Sequence, residues 1–465
     1  MAEPSEEALA WSGGPAVAGK SQLAVSCPLC GGRLLLGPLQ FAGMPILVDC
    51  RCSGCGRAYR LDWPAGHALL HPVLIDVEDG HVYADGLDWY ARRLARCLAG
   101  RGQPVSAAIE VHVKDRPASR AILVNCVDFL YGHCLLKLLG GLSYARRNPD
   151  ADVIVAAPAA LRWLVPDVSS VIVDLPLEQG DSWINGFHDA VAGALGAYDE
   201  IVIAPGVSQP PLTAEDLERL LGPEFAPQDF WASATSSAGE ESPLVCLVSR
   251  EDRPWAGPHR WRAGLAGRLS PELRRRVLVA DQNRRFERVV RRVRESCPEA
   301  RFVLTGIGAG GRLSSDVLDL RCDAAPLTEE RERGWLAAYA SSRVVAGVHG
   351  SNMLLPSALG GAVVDLLPED RLRNLGQDLI ITSERDRDPK LCLFRYRIVP
   401  LTTSPEAVAD IIVSILEDAD RHHLNMRENT AAYTTVGWPR PIRWRRVDAR
   451  VSGDQLRLVQ ERSRP

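Results

Sequence analysis

Two Cys-x-x-Cys pairs near the N-terminus are the first residues whose spacing suggests chemistry: Cys27-Pro28-Leu29-Cys30, followed by Gly31-Gly32, and Cys52-Ser53-Gly54-Cys55, followed by Gly56. Each pair puts two sulfurs on one tight turn, and the glycines let backbone N–H groups approach the thiolates. The stretch from Arg33 to Asp49 is long enough for a hairpin that brings the turns together. Four thiolates around one ion make the closed tetrahedral site of a structural zinc, with no open position for catalysis. Cys50 is a fifth candidate that spacing alone does not separate from Cys52. Zinc would contribute on the order of 10 kcal/mol of folding energy to a module too small to fold alone.

A second group lies within SRVVAGVHGSNMLLPSALGGAVVDLLPE, Ser342 to Glu369. A buried strand delivers His349-Gly350-Ser351-Asn352 to the start of a helix, and the next strand ends in Leu367-Pro368-Glu369. Gly350 lets a bulky ligand approach the backbone, while Ser351 or Asn352 caps the helix and binds polar oxygen. The free N–H groups of a helix start favour a diphosphate, by about 1 kcal/mol from the dipole alone. Arg250 follows the strand Leu244 to Ser249, and its fork of donors suits the same diphosphate. A surface arginine paired with Glu251 or Asp252 is the plainer reading. Gly306 and Gly308, in Gly306 to Gly311 after the strand Arg301 to Thr305, read equally as a phosphate cradle or as a surface turn. Upstream, Asn125 to His133 joins a strand to a helix and offers Asp128 and His133 as a general base for a hydroxyl; the alternatives are an N-cap aspartate and a structural histidine. No D-x-D motif stands in a suitable loop, so no catalytic metal is expected.

These residues need a scaffold, and the pattern provides one. The chain has 465 residues, 46% hydrophobic and 24% charged, which fits two or three globular domains. A net charge of -4 gives no global basic field for nucleic acid or acidic membranes. Met1 to Gly14 lacks a basic n-region and an apolar h-region, so no signal peptide and a cytoplasmic location are expected, with the twelve cysteines as thiols or metal ligands. Strands at Ala121–Cys126, Asp152–Ala157, Val171–Leu175 and Glu200–Ala204 alternate with helices at Gly132–Arg147, Ala159–Val165 and Trp183–Leu195. A second series runs from Leu244–Ser249 to Ala362–Leu367, and Pro405–Asp418 is a late helix. Alternation of this kind implies parallel sheets covered on both faces. The expected divisions are a flexible N-terminus 1–20, a zinc ribbon 21–70, a first lobe 71–225, a linker 226–242, a second lobe 243–400, and a C-terminal helix and Arg/Trp tail 401–465. Two such lobes leave a cleft at the carboxyl ends of their strands, where ligands bind.

The run TEERERGWLAAYASSRVVAGVHGSNMLLPSALGGAVVDLLPED resembles the C-terminal signature of glycosyltransferase family 61 (DUF563) and, more loosely, of GT-B transferases. The resemblance covers Ala121 to Pro368 and is specific in the second half, with Leu247-Val248-Ser249-Arg250 and Tyr131-Gly132-His133 as its weaker parts. It implies two Rossmann-like lobes and puts His349, Gly350 and Asn352, with Arg250 at its strand end, on the nucleotide-sugar side, with Asp365 where the family has a Glu; Ser351 and Glu369 join the expected donor contacts by their position beside these residues. It further implies an inverting, metal-independent transfer to an acceptor hydroxyl of a carbohydrate, glycoconjugate or small molecule. The rivals are a nucleotide-sugar hydrolase or epimerase on the same scaffold, and a non-catalytic zinc-ribbon protein that binds nucleic acid or a partner protein. The tail Trp438 to Arg450 interleaves tryptophan with arginine; it either touches an anionic surface or packs its indoles on its own domain.

Overall fold

The computed structural model describes residues 16–17, 23, 25–114, 118–206, 212–226, 242–256, 269–308, 311, 313–314, 316–322, 328–380, 395–418, 445–452 and 457–459. Most of the expected linker (227–241), Gly310 and Trp438 to Trp444 of the tail lie outside these residues. The chain divides into two compact units, Met1–Pro210 with Ala432–Pro465, and Pro211–Ala431.

The first unit combines two sheets. One is antiparallel and built from β2 (Leu34–Phe41), β3 (Ile46–Cys52), β4 (Ala58–Asp62), β5 (Val73–Asp76) and β6 (His81–Ala84), extended by β18 (Arg445–Ser452) and β19 (Arg457–Val459) in the order β19-β18-β6-β5-β4-β3-β2. Strand alternation gives it two apolar faces. Leu34, Leu36, Phe41, Val48, Leu61 and Leu74 face one core. Leu47, Val73, Ile75 and Val82 face helix α1 (Asp88–Ala99) through Tyr90, Leu94 and Leu98. The register slips between Leu36 and Leu39, where Pro38 has no N–H to give the ladder. The cysteine hairpin is the end of this larger sheet rather than a free-standing ribbon, and the backbone of Arg445–Ser452 from the tail is one of its strands.

The second sheet of this unit has the order β1-β11-β8-β9-β10-β7, from β1 (Ala16–Val17), β7 (Ala108–His112), β8 (Arg120–Asn125), β9 (Asp152–Pro158), β10 (Ser169–Asp174) and β11 (Glu200–Ile203). All pairings are parallel except β7 with β10. Within the N-terminal stretch expected to be flexible, Ala16–Val17 is a strand beside β11. Helices α2 (Tyr131–Arg146) and α3 (Phe187–Leu195) connect the strands, and Ala159–Leu164 is a 3-10 helix. One core runs through both sheets: Leu36, Val48, Trp63 and Leu74 pack with Leu123, Ile154, Val171 and Phe187. After β8 the chain steps to β9 on one side, while β11 lies on the other. The loop leaving β8 therefore sits at a topological switch point, where open α/β sheets place ligands.

The second unit is a six-stranded, all-parallel sheet in the order β14-β13-β12-β15-β16-β17. Its strands are β12 (Leu244–Ser249), β13 (Arg301–Gly306), β14 (Val317–Asp319), β15 (Val344–Val348), β16 (Ala362–Leu367) and β17 (Tyr396–Pro400). Counted from β12, that is the doubly wound 3-2-1-4-5-6 order, with its switch point between β12 and β15. Helices α4 (Ala214–Leu221), α5 (Pro271–Ser296), α6 (Glu329–Ala340), α7 (Leu354–Leu359) and α8 (Pro405–Asp418) complete it. Helix α5 starts where Ser270 accepts from the Leu273 N–H and Pro271 takes the first helical position. Its apolar stripe, Phe286, Val289 and Val293, meets Val408, Ile412 and Ile415 of α8. Arg288 and Arg292 on its outer face pair with Glu406 and Asp410, so these arginines are not a free basic patch. The fold class read from the sequence, two Rossmann-like α/β units with an N-terminal cysteine module, holds in the two six-stranded sheets, with the cysteine module part of the third.

Candidate functional site

Three groups of polar side chains stand at sequence-marked positions. In the first, Sγ of Cys27 lies 3.8 Å from that of Cys55, and Sγ of Cys30 lies 3.4 Å from that of Cys52. A tetrahedron of zinc–sulfur bonds of about 2.3 Å has edges of about 3.8 Å, so the four thiols fit one ion. Backbone N–H groups of Cys55 and Gly54 draw the Cys52 thiol down to about 6, favouring the thiolate a metal needs. Cys50 is resolved away from the cluster: its thiol is buried and donates to the Val48 carbonyl.

The second group gathers behind β8. Asp128 is wholly buried, with Lys137 Nζ 2.8 Å from Oδ2 and His133 Nδ1 3.2 Å from Oδ1. Sequence marked both Asp128 and His133, but not Lys137, one turn further along α2, nor His67. His67 comes from a 3-10 turn, Gly66–Leu69; its Nε2 is 3.1 Å from His133 Nδ1 and 3.4 Å from Asp128 Oδ2. Burial alone would push the Asp128 carboxyl up, yet Lys137 and the two imidazoles hold it well below the usual carboxylate range. Trp89, Tyr90 and Phe129 ring His67, with centroids 5.1–6.3 Å away, and Trp89 is 40% exposed. Nε2 of His133 makes no hydrogen bond among the described residues, and its side chain is 20% exposed. Asp128 is not the N-cap; helix α2 begins at Leu130 without a side-chain cap.

The third group occupies the switch point of the second unit. Arg250 leaves β12 and spends its guanidinium on protein: Nε and Nη2 donate to Asp252, and Nη1 donates to the His349 carbonyl at 3.0 Å and to Asn352 Oδ1 at 2.7 Å. It therefore ties β12 to the turn after β15. Gly350 is required there, because its φ is +132° and a Cβ would stand 2.4 Å from Arg250 Nη1. Neither Ser351 nor Asn352 caps the helix: a 3-10 turn Ser351–Met353 leads into α7, which has six residues, so the expected dipole contribution is missing. The residue that the sequence reading passed over is Arg253. It gives one N–H to the His349 carbonyl, and its other donors have no hydrogen-bond partner among the described residues. Burial, and the neighbouring charges of Arg250 and Arg371, push its guanidinium below the ordinary arginine value. An anion would relieve that crowding. Gly306 packs its backbone against Ser249, and buried Arg321 donates to the Gly308 and Gly311 carbonyls. Exposed Glu369 borders a cavity of about 710 Å³ lined also by Leu367, Leu372, Tyr396 and Ile398 beyond the ends of β16 and β17.

His349 was expected at the ligand, but its ring is turned inward, 1% exposed, with Nδ1 2.6 Å from Asp365 Oδ2 and 3.1 Å from Asp378 Oδ2. Burial alone would lower its pKa, but the two carboxylates raise it to about 9. A value raised above that of free imidazole contributes stability that is complete below about pH 6.5 and lost as pH rises through about 9. The thermal transition of this unit should thus fall between pH 7 and 9.5, and His349→Gln should flatten that slope; an equal slope in the variant would assign the pH dependence elsewhere.

No family model matches the chain, and no curated protein does. Among solved structures it is similar to the ADP-heptose LPS heptosyltransferase II of E. coli, at 13% identity and a TM-score of 0.33, covering 64% of this chain and 98% of that one. It is also similar to a putative UDP-N-acetylglucosamine 2-epimerase from Listeria monocytogenes, at 11% identity and a TM-score of 0.28, covering 65% of this chain and 90% of that one. Superpositions this loose transfer neither substrate nor reaction. Among the described residues no helix is long and apolar enough to cross a membrane.

Proposed function

We propose that the chain is a glycosyltransferase that moves a sugar from a nucleotide-sugar donor to an acceptor hydroxyl with inversion. The observation that carries this reading is the switch point of the second unit, where Arg253 keeps unengaged donors beside Arg250 and the Gly350 backbone. The unengaged donors of Arg253, at the carboxyl end of β12, suit the diphosphate of such a donor, and the departing diphosphate gains charge as the bond to the sugar breaks. Glu369 and the neighbouring cavity would take the nucleoside. In the first unit, His133 is the base: its Nδ1–H is held by Asp128 while Nε2 removes the acceptor proton. The acceptor oxygen bonds to the anomeric carbon as the carbon–diphosphate bond breaks, and the proton ends on His133. Zinc on Cys27, Cys30, Cys52 and Cys55 would be structural.

Arg253→Ala should weaken nucleoside-diphosphate binding, read by calorimetry over a panel of bases, by roughly 1–3 kcal/mol for a lost charge-assisted contact. Arg250→Ala should weaken it too, through collapse of the turn. Unchanged affinity in a folded Arg253→Ala protein would mean that the phosphates bind elsewhere. Release of free sugar with no acceptor requirement would mark a hydrolase instead.

A further inference from the structure

His67, Asp128 and His133 reach one point from three separate segments: a 3-10 turn after β4, the loop after β8, and the first turn of α2. Three contacts link them in a triangle, His67 Nε2 to His133 Nδ1 at 3.1 Å, His133 Nδ1 to Asp128 Oδ1 at 3.2 Å and His67 Nε2 to Asp128 Oδ2 at 3.4 Å, with one ligand atom of each residue within 4.8 Å of the others. Charge-assisted hydrogen bonds usually close to about 2.7–2.9 Å. In this protein Lys137 with Asp128, at 2.8 Å, and His349 with Asp365, at 2.6 Å, do close. The contacts of the triangle are longer than these, and one of them sets two ring nitrogens face to face. Nitrogen and oxygen ligands about 2.0–2.2 Å from a divalent first-row ion stand about 3.0–3.5 Å apart, which is the size of this triangle. The cysteine cluster, expected to take longer metal–sulfur bonds, has edges of 3.4 and 3.8 Å.

We propose that His67 Nε2, His133 Nδ1 and a carboxylate oxygen of Asp128 bind a divalent first-row cation such as Mn2+ or Zn2+, separate from the thiolate site. Two imidazoles and one carboxylate are a donor set that leaves coordination positions open. The open side is available, since the side chains of His67 and His133 are 16% and 20% exposed while Asp128 is not exposed at all. Lys137 Nζ lies 2.8 Å from Asp128 Oδ2, which fixes the orientation of the carboxylate. Its charge cancels that of Asp128, so the ion keeps its own charge for a further, oxygen-bearing ligand. The group His349, Asp365 and Asp378 has the same atom types but is buried throughout, and its shortest edge closes as an ion pair.

Binding goes beyond the transferase reading; the ion's use rests on sugar transfer itself, and with the ion bound His133 Nδ1 is a ligand in place of a donor to Asp128, and the ion in place of Nε2 would polarise the acceptor hydroxyl. The full-length, zinc-loaded protein is titrated with MnCl2, and free Mn2+ is followed by electron paramagnetic resonance. One Mn2+ per chain is expected, with affinity at least ~10-fold weaker in His67→Gln and in His133→Gln, at unchanged zinc content and circular dichroism. Uptake that is equal in both variants, or no uptake of Mn2+, Co2+ or further Zn2+ at all, overturns the site. Sugar transfer that survives removal of Mn2+ keeps the transferase and overturns the ion's part in it. Mn2+ binding without any transfer activity keeps the ion and sinks the transferase.

Discussion

His133→Ala should lower turnover by about 10²–10⁴-fold while leaving nucleoside-diphosphate affinity intact. The two halves of that expectation come from different units of the chain. His133 and Asp128 belong to the unit of residues 1–210, whereas Arg250, Arg253 and Gly350 belong to that of 211–431. The histidine, not the aspartate, is expected to meet substrate, because Asp128 is wholly buried and already holds Lys137 at 2.8 Å. Asp128 is then a positioning residue. Asp128→Asn leaves an acceptor for His133 but removes the charge that steadies its protonated form and leaves Lys137 without its counter-ion, so it should cost turnover and also stability. The discriminating comparison is direct. Near-normal turnover in His133→Ala together with abolished turnover in a folded Asp128→Asn protein would make the carboxylate the base and the histidine a packing residue. Equal losses of turnover and donor affinity in His133→Ala would mean that the effect is structural.

What the sequence made legible was governed by period and by punctuation. The strand Leu244–Ser249 and the helix Pro405–Asp418 were read with the bounds that they have, because continuous apolar runs between polar breaks leave little choice. The parallel order of the second sheet followed from alternation of strands and helices. The antiparallel strands β4 to β6 were not read. Each has four or five residues, and the pairing of β6 with Arg445–Ser452 joins segments hundreds of positions apart, which no local pattern encodes. Site residues divide in the same way. Asp128 and His133 could be found because they flank a strand-to-helix turn. His67 could not, being a lone histidine in a short 3-10 turn whose significance comes only from its contacts with Trp89 and Tyr90 of α1 and with Asp128 and His133. Arg253 had a signal that went unused: the arginines at 250 and 253 leave the same strand end. His349 shows the opposite failure, since its place after a strand was right and the direction of its ring was wrong. Asp378, remote in sequence, supplies a second carboxylate that draws the ring inward.

Removing the metal from the cysteine site should destabilise the whole first unit. Cys52 ends β3, pairs with Leu34 in the ladder, and is 2% exposed inside the core that also holds Leu123, Ile154 and Phe187. A ribbon standing alone would unfold by itself when its zinc left; a ribbon whose strands share a core with the α/β sheet passes the loss on. Cys52→Ser should therefore abolish binding of the expected one zinc per chain and lower the melting temperature of residues 1–210 by roughly 10–20 °C. That figure takes ~5 kcal/mol for a lost structural metal and about 2–4 °C per kcal/mol for a unit of this size. The transition of residues 211–431 should not move. Cys50→Ser is the internal control. Cys50 is also buried on β3, but its thiol faces the Val48 carbonyl, so zinc content should stay at one per chain. Equal zinc loss in both variants would place Cys50 among the ligands. Loss confined to Cys52→Ser, with the first unit melting as before, would show that the metal holds only the two turns and that the sheet stands without it.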